Sequence, residues 1–258
     1  VSIINCSDRY SITPPWVLKQ YPDVERILFL LSNNPCLKGC NYCNEAFNPF
    51  PALKTYFGFD GFRKYDGEPL QERAVNAALQ NKSLVCIFPT GGGKSITFQL
   101  PALMAGRNAR ALTVIISPLQ SLMKDQVDNL ENKHITEAAT INGLLDPIER
   151  SKAIERVEDG SVSLLYISPE SLRSVTIERL LLKRKIARFV IDEAHCFSAW
   201  GQDFRVDYLY IGDFIKKLQE AKNLEDPIPV SCFTATAKQK VIEDIRDYFK
   251  DKLKLTLE

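Results

Sequence analysis

The sequence carries almost no net charge: 33 basic residues stand against 32 acidic ones, a formal balance of +1. Bulk electrostatics therefore point to neither a nucleic acid nor a membrane, and any such partner has to be read by a local surface. No apolar run is long enough to span a bilayer and Val1 opens no recognisable signal peptide, so the chain is expected to be cytoplasmic with no membrane partner. A start at Val1 rather than Met suggests a segment of something longer. What is present is an ordinary globular composition. With 258 residues, 45% hydrophobic and 25% charged, the chain can bury one large core or two small ones.

Phe88-Pro-Thr-Gly-Gly-Gly-Lys-Ser95 follows the apolar run 83–88 and precedes the helix-compatible run 96–105. Glycines at 91, 92 and 93 let the backbone curl close to an anion, so that N–H groups and a helix N-terminus point at phosphates. Thr90, Gly91, Gly92, Gly93, Lys94 and Ser95 are thus the candidate nucleotide cradle. Lys94 supplies a point charge for the β- and γ-phosphates, and the Ser95 hydroxyl a ligand for Mg²⁺. Phe88 stands where the strict pattern has glycine.

The seven cysteines divide into two kinds. Cys86, Cys196 and Cys232 lie in or beside apolar runs, where a buried thiol acts as a small hydrophobe. Cys36-Leu-Lys-Gly-Cys40-Asn-Tyr-Cys43 brings three thiols to one side of a loop within a proline-punctuated segment, residues 1–50. With Cys6 as a fourth ligand, a Zn²⁺ site or an iron–sulfur cluster is feasible; free thiols are the plain alternative. His134, far along the chain, is a poor candidate for the fourth ligand. The spacing also resembles the cluster-binding loop of radical S-adenosylmethionine enzymes, whose barrel does not follow here.

Residues 51–258 read as a second unit. Helical spacing over 71–79 leads to the phosphate loop, and then strands at 111–117, 137–141, 162–168, 187–191 and 229–233 alternate with helices at 119–130, 147–157, 170–182, 206–218 and 238–249. Such alternation predicts an α/β domain whose mostly parallel sheet is covered by helices on both faces, with ligands at the carboxyl ends of the strands. One of those strands ends in Asp192-Glu193-Ala194-His195. Neighbouring strand-end side chains diverge, which gives Asp192 the Mg²⁺ and Glu193 the water that attacks the γ-phosphate.

Together these motifs resemble the first RecA-like lobe of RecQ-family DNA helicases, a DEAH-box family that tolerates an apolar residue at the Phe88 position. The resemblance implies ATP and Mg²⁺ as cofactors, DNA as partner, 3′-to-5′ translocation, and roles in DNA repair and recombination. Ile116 to Gln126, with Ser117, Pro118 and Gln120, resembles the motif lying against the nucleic-acid backbone, and Tyr166 to Leu172 the next one along. His195, Gln202, Thr234 and Thr236 fall in coupling positions. The stretch 196–205 resembles the family's aromatic-rich loop, in which Trp200 and Phe204 offer faces for unstacked bases and Arg205 a phosphate or cation–π contact. Two departures stand out. The family usually has histidine where this chain has Gln202, and Lys64 to Leu70 intervene between Arg63 and Gln71, the residue carrying the adenine-amide contact.

The chain stops soon after Thr236, so the resemblance places the second RecA-like lobe, with its arginine finger, downstream. Alone, this segment is expected to bind nucleotide weakly, to hydrolyse it slowly if at all, and not to unwind duplex. A non-hydrolysing nucleotide switch or scaffold lobe is the alternative from another class. A third reading makes residues 1–50 a metal-bearing module that recognises DNA structure or a protein partner.

Overall fold

A computed structural model describes residues 20–258, apart from positions 22, 25, 26, 28, 29, 32, 33, 37, 38, 90, 201–204, 236 and 237. Of the sequence-derived site residues, Cys6, Thr90, Gln202, Phe204 and Thr236 lie outside the described residues.

Strands β1 (Leu84–Ile87), β2 (Leu112–Ile116), β3 (Ala138–Ile141), β4 (Leu164–Ile167), β5 (Ile186–Ile191) and β6 (Val230–Thr234) form one sheet in the order β1-β6-β5-β2-β4-β3. Every pairing among them is parallel. Beside the outer edge of β1, the Glu258 N–H donates to the Ser83 carbonyl and the Val85 N–H to the Glu258 carbonyl, so the end of the chain pairs there too.

The helices are α1 (Asn41–Ala46), α2 (Pro49–Phe57), α3 (Leu70–Leu79), α4 (Lys94–Ala109), α5 (Gln120–Glu131), α6 (Pro147–Glu158), α7 (Val175–Lys183), α8 (Ile211–Ala221) and α9 (Gln239–Leu253). Alternation along the strands sends their side chains into two apolar layers. Val114, Leu165, Phe189 and Cys232 join Val157, Ile177, Phe214 and Phe249 under α6 to α9. Ile115, Tyr166, Val190 and Phe233 join Leu53, Val75, Phe98 and Met123 under α2 to α5. The expected double-sided α/β architecture is therefore present, with the core split by the sheet.

Two expected helices are interrupted. The run 170–182 is a 3₁₀ turn, Pro169–Arg173, followed by α7, with an extended Ser174 between them. Leu172 and Ile177 are both buried. Five positions apart, they would stand about 140° apart on one unbroken helix, and the break returns both to the core. Likewise Val206–Tyr210 is a 3₁₀ turn before α8. The two short helices α1 and α2 were not legible. Asn48 caps α2 by accepting the Phe50 N–H, with Pro49 in its first turn, and Gly58 at φ 73° closes it. The stretch 23–31, by contrast, reads in the sequence as one short amphipathic helix, and among its described residues Asp23, Val24, Ile27, Leu30 and Leu31 are helical.

Candidate functional site

The motifs gather along the carboxyl edge of the sheet. β1 runs into the phosphate loop, β5 into Asp192 and Glu193, β2 into Ser117 and Pro118, and β6 ends at Thr234 between β1 and β5. Gly91 and Gly93 take φ of 73° and 67°. A Cβ on Gly92 would stand 2.7 Å from the Pro89 carbonyl oxygen, so this stretch is built for glycine. Gly93 is the N-cap of α4, which places Lys94 and Ser95 in its first turn.

Lys94 crosses to the other motif. Its Nζ donates to Asp192 Oδ1 at 2.6 Å and to Glu193 Oε1 at 3.1 Å. Burial works against the Lys94 charge, but the two carboxylates outweigh it and hold the ammonium above the usual lysine range. Asp192 is the more deeply buried of the acids. That burial, aided by Glu193, pushes its carboxyl up against the pull of Lys94.

The chain turns sharply between the two acids, and instead of diverging as the strand pattern suggests, both carboxylates meet at the Lys94 ammonium. Glu193 has left-handed φ and ψ of 49° and 46°, which costs a non-glycine residue about 1–2 kcal/mol. Neighbours hold the turn: Tyr208 Oη donates to the Asp192 carbonyl at 2.9 Å, and the Cys196 N–H donates to the Glu193 carbonyl at 3.0 Å. From Glu193 the polar line continues. His195 Nδ1 lies 3.3 Å from Glu193 Oε2 and 3.5 Å from Thr234 Oγ1.

Gln71 is buried with its amide engaged. It donates to the Gly93 carbonyl at 3.0 Å and to Tyr65 Oη at 3.4 Å, while its Oε1 accepts the Arg63 N–H at 2.8 Å. In this geometry Gln71 braces the phosphate loop. The intervening residues 64–70 form a small hairpin, with a bridge between Tyr65 and Glu68, that sets the Tyr65 ring 5.6 Å from Phe88 and under the Arg63 guanidinium.

The aromatic-rich stretch begins on the same edge. Trp200 is 69% exposed, so its ring is not part of the core. The Trp200 backbone N–H donates to Ser198 Oγ, which itself donates to Asp244 Oδ2 at 2.6 Å. Arg205 is half-buried and donates to the Pro118 carbonyl at 3.4 Å, joining this stretch to the segment after β2. Ser117 and Pro118 are buried while Gln120 is half-buried, so the three do not present one exposed surface. Tyr208 and Tyr65 are site residues that sequence reasoning missed. The signal for Tyr208 was its place three residues after Arg205, in the turn that follows the aromatic-rich stretch.

Cys36, Cys40 and Cys43 also converge, their sulfurs all within 4.8 Å of one another, with Cys43 buried and the other two exposed. The Cys36 amide pulls the Cys43 thiol down but is outweighed by burial and by the neighbouring thiols, so its pKa is raised.

A glycine cradle at a helix start, facing paired carboxylates across the end of a parallel sheet, defines a RecA-like nucleotide-binding lobe. The model of the DEAD/DEAH box helicases matches residues 68–245, and the chain belongs to that family. Within it, the curated relatives are of the RecQ type. The chain is 42% identical over 193 residues to the ATP-dependent DNA helicase RecQ of Bacillus subtilis, an alignment covering 75% of this chain and 30% of that protein. It is 41% identical over 198 residues to the ATP-dependent helicase SGS1 of Saccharomyces cerevisiae, covering 75% of this chain and 13% of that one. The chain thus spans about a third or less of the length of these relatives. In fold it is similar to the DUF1998 helicase MrfA bound to DNA, with a TM-score of 0.62 at 18% identity over 83% of this chain and 29% of that one.

Proposed function

We propose that this chain is the ATP-binding lobe of a RecQ-like DNA helicase, in which ATP hydrolysis drives 3′-to-5′ movement along DNA and strand separation. The observation that carries the reading is Lys94 drawn onto Asp192 and Glu193, at 2.6 and 3.1 Å, from the start of α4. Outside nucleotide binding, the ammonium neutralises the two acids. With ATP present it turns to the β- and γ-phosphates beside the Gly91 to Gly93 amides.

The Asp192 carboxylate and the Ser95 hydroxyl are hard oxygen donors of the kind that suit Mg²⁺, which would screen the charge developing on the phosphate oxygens. Glu193, less buried than Asp192, orients the attacking water and takes its proton. His195 and Thr234 carry the state of Glu193 toward the end of β6. Trp200 takes an unstacked base, Phe204 and Arg205 serve the same strand, and the segment of Ser117, Pro118 and Gln120, tied to this stretch through Arg205, meets the DNA backbone with Gln120 the most accessible of the three. Gln71 reads adenine by releasing one of its present bonds. Thr90, Gln202 and Thr236 complete the cradle and the coupling.

A second RecA-like lobe facing this edge, with its arginine, belongs to the same proposal, as do a cytoplasmic setting and a division near residue 50. The segment before that division would hold Zn²⁺ or an iron–sulfur cluster on Cys36, Cys40 and Cys43, with Cys6 as a fourth ligand. No helix among the described residues is long and apolar enough to cross a membrane.

Glu193→Gln in the full-length protein tests the reading. ATP binding is expected to persist while DNA-stimulated hydrolysis falls by about 100- to 10,000-fold, the range for loss of a general base. A nucleotide switch that does no work on DNA would be nearly indifferent to the change, and that outcome would reject the motor.

A further inference from the structure

We infer that Cys36, Cys40 and Cys43 hold one zinc ion rather than an iron–sulfur cubane, and that the ion fastens the N-terminal segment to the far end of the nucleotide-binding lobe. The inference deepens the metal reading above and rests on it.

The spacing of the sulfurs separates the two chemistries. All three lie within 4.8 Å of one another. Around a single tetrahedral ion, with zinc–sulfur bonds of about 2.3 Å, thiolates stand about 3.8 Å apart. A cubane seats each thiolate on its own iron, so its sulfurs point away from one another and spread wider than the irons themselves. The loop therefore needs only a small contraction to close on one ion, and would have to open to admit a cluster.

The backbone is arranged for thiolates. The Cys36 N–H donates to Cys43 Sγ and the Cys40 N–H to Cys36 Sγ, both at 3.2 Å. Gly39, at φ 63°, makes the turn that allows the second of these. Three thiolates on a divalent ion leave one net negative charge, which such amides offset. Because Cys36 and Cys40 are exposed, the fourth vertex is accessible to a water or a further side chain.

Location decides the role. α1 carries Cys43 and ends at Ala46, whose carbonyl accepts a hydrogen bond from Asn108 Nδ2 at 2.8 Å. The next residue, Phe47, packs on the layer beneath α2 to α5. Asn108 sits near the end of α4, about 21 Å along the helix from Lys94 at 1.5 Å per residue. An ion there cannot reach the phosphates. It can hold Cys36, Cys40 and α1 in the shape that docks Ala46 and Phe47.

The test is metal and sulfide analysis of the full-length protein purified without chelator, together with hydrogen exchange over residues 34–48. One zinc per chain is expected, with neither iron nor sulfide. Chelation of the wild type, or Cys43→Ser, should abolish the zinc and speed exchange over 34–48 by at least about tenfold, with ATP affinity unchanged. Cys43→His should retain zinc. Iron with sulfide would overturn the single ion while leaving the metal reading standing. A natively purified chain with no metal and all three thiols free would overturn both. Zinc whose removal leaves exchange over 34–48 unaltered would overturn the fastening role.

Discussion

The two ends of the sheet both bury cations, and they do so differently. At the carboxyl edge Lys94 faces two carboxylates, Asp192 and Glu193, in a half-buried opening beside a glycine cradle. At the amino edge Arg188 is 5% exposed, and its guanidinium donates to the Ala78 and Lys82 carbonyls and to Ser231 Oγ at 2.8 to 2.9 Å. Arg184 donates in the same manner to the carbonyls of Val157, Arg110 and Val162. Burial lowers the Arg188 pKa to about 10, still far above neutrality. A buried cation is therefore not by itself a sign of chemistry. What marks the carboxyl edge is that its partners are charged groups which a phosphate and a metal can displace, whereas the backbone carbonyls around Arg188 and Arg184 are fixed parts of the chain and have no such competitor.

Substitutions at the two ends should separate stability from function. Arg188→Met keeps the stem but leaves two carbonyls and a hydroxyl without their donor. A loss of about 3 kcal/mol in urea unfolding is expected, with ATP affinity of the folded protein unchanged. Lys94→Ala should reverse that pattern. Nucleotide affinity is expected to fall by about 2–3 kcal/mol, the scale of a charge-assisted bond, which a fluorescent-nucleotide titration would detect. If Lys94→Ala cost stability and spared nucleotide, the two edges would have been misassigned.

Trp200→Ala extends the contrast along the carboxyl edge. Single-strand DNA affinity should drop by about 1–3 kcal/mol, measured by anisotropy, while nucleotide affinity holds. Equal loss of both would mean that the ring supports the fold. Smallest is Tyr208→Phe, which removes the hydroxyl donating to the Asp192 carbonyl. Thermal unfolding should register about 1 kcal/mol, and DNA stimulation of hydrolysis should weaken more than basal hydrolysis.

Much of this was legible in the chain, because parallel α/β folds write their sites at strand ends. The alternation of apolar strands with helices placed Lys94 and the Asp192-Glu193 pair on one edge before any coordinates, and the 2.6 Å contact joins them. What was not legible depends on through-space partners. The engagement of Gln71 with Gly93 and Tyr65 depends on how residues 64–70 fold back. The break at Ser174 arises from the need to bury both Leu172 and Ile177. Near the N-terminus, cysteine spacing announced a group of thiols, but α1, and α2 beyond it, were hidden because each is short and takes its support from α4.

The most direct test is the rate of ATP hydrolysis by the full-length protein in Mg²⁺, with and without single-stranded DNA. A rate that rises steeply when DNA is added, and only when Glu193 is intact, is the result expected of a lobe that couples this edge to a strand. Hydrolysis at one rate, indifferent to DNA, would contradict it.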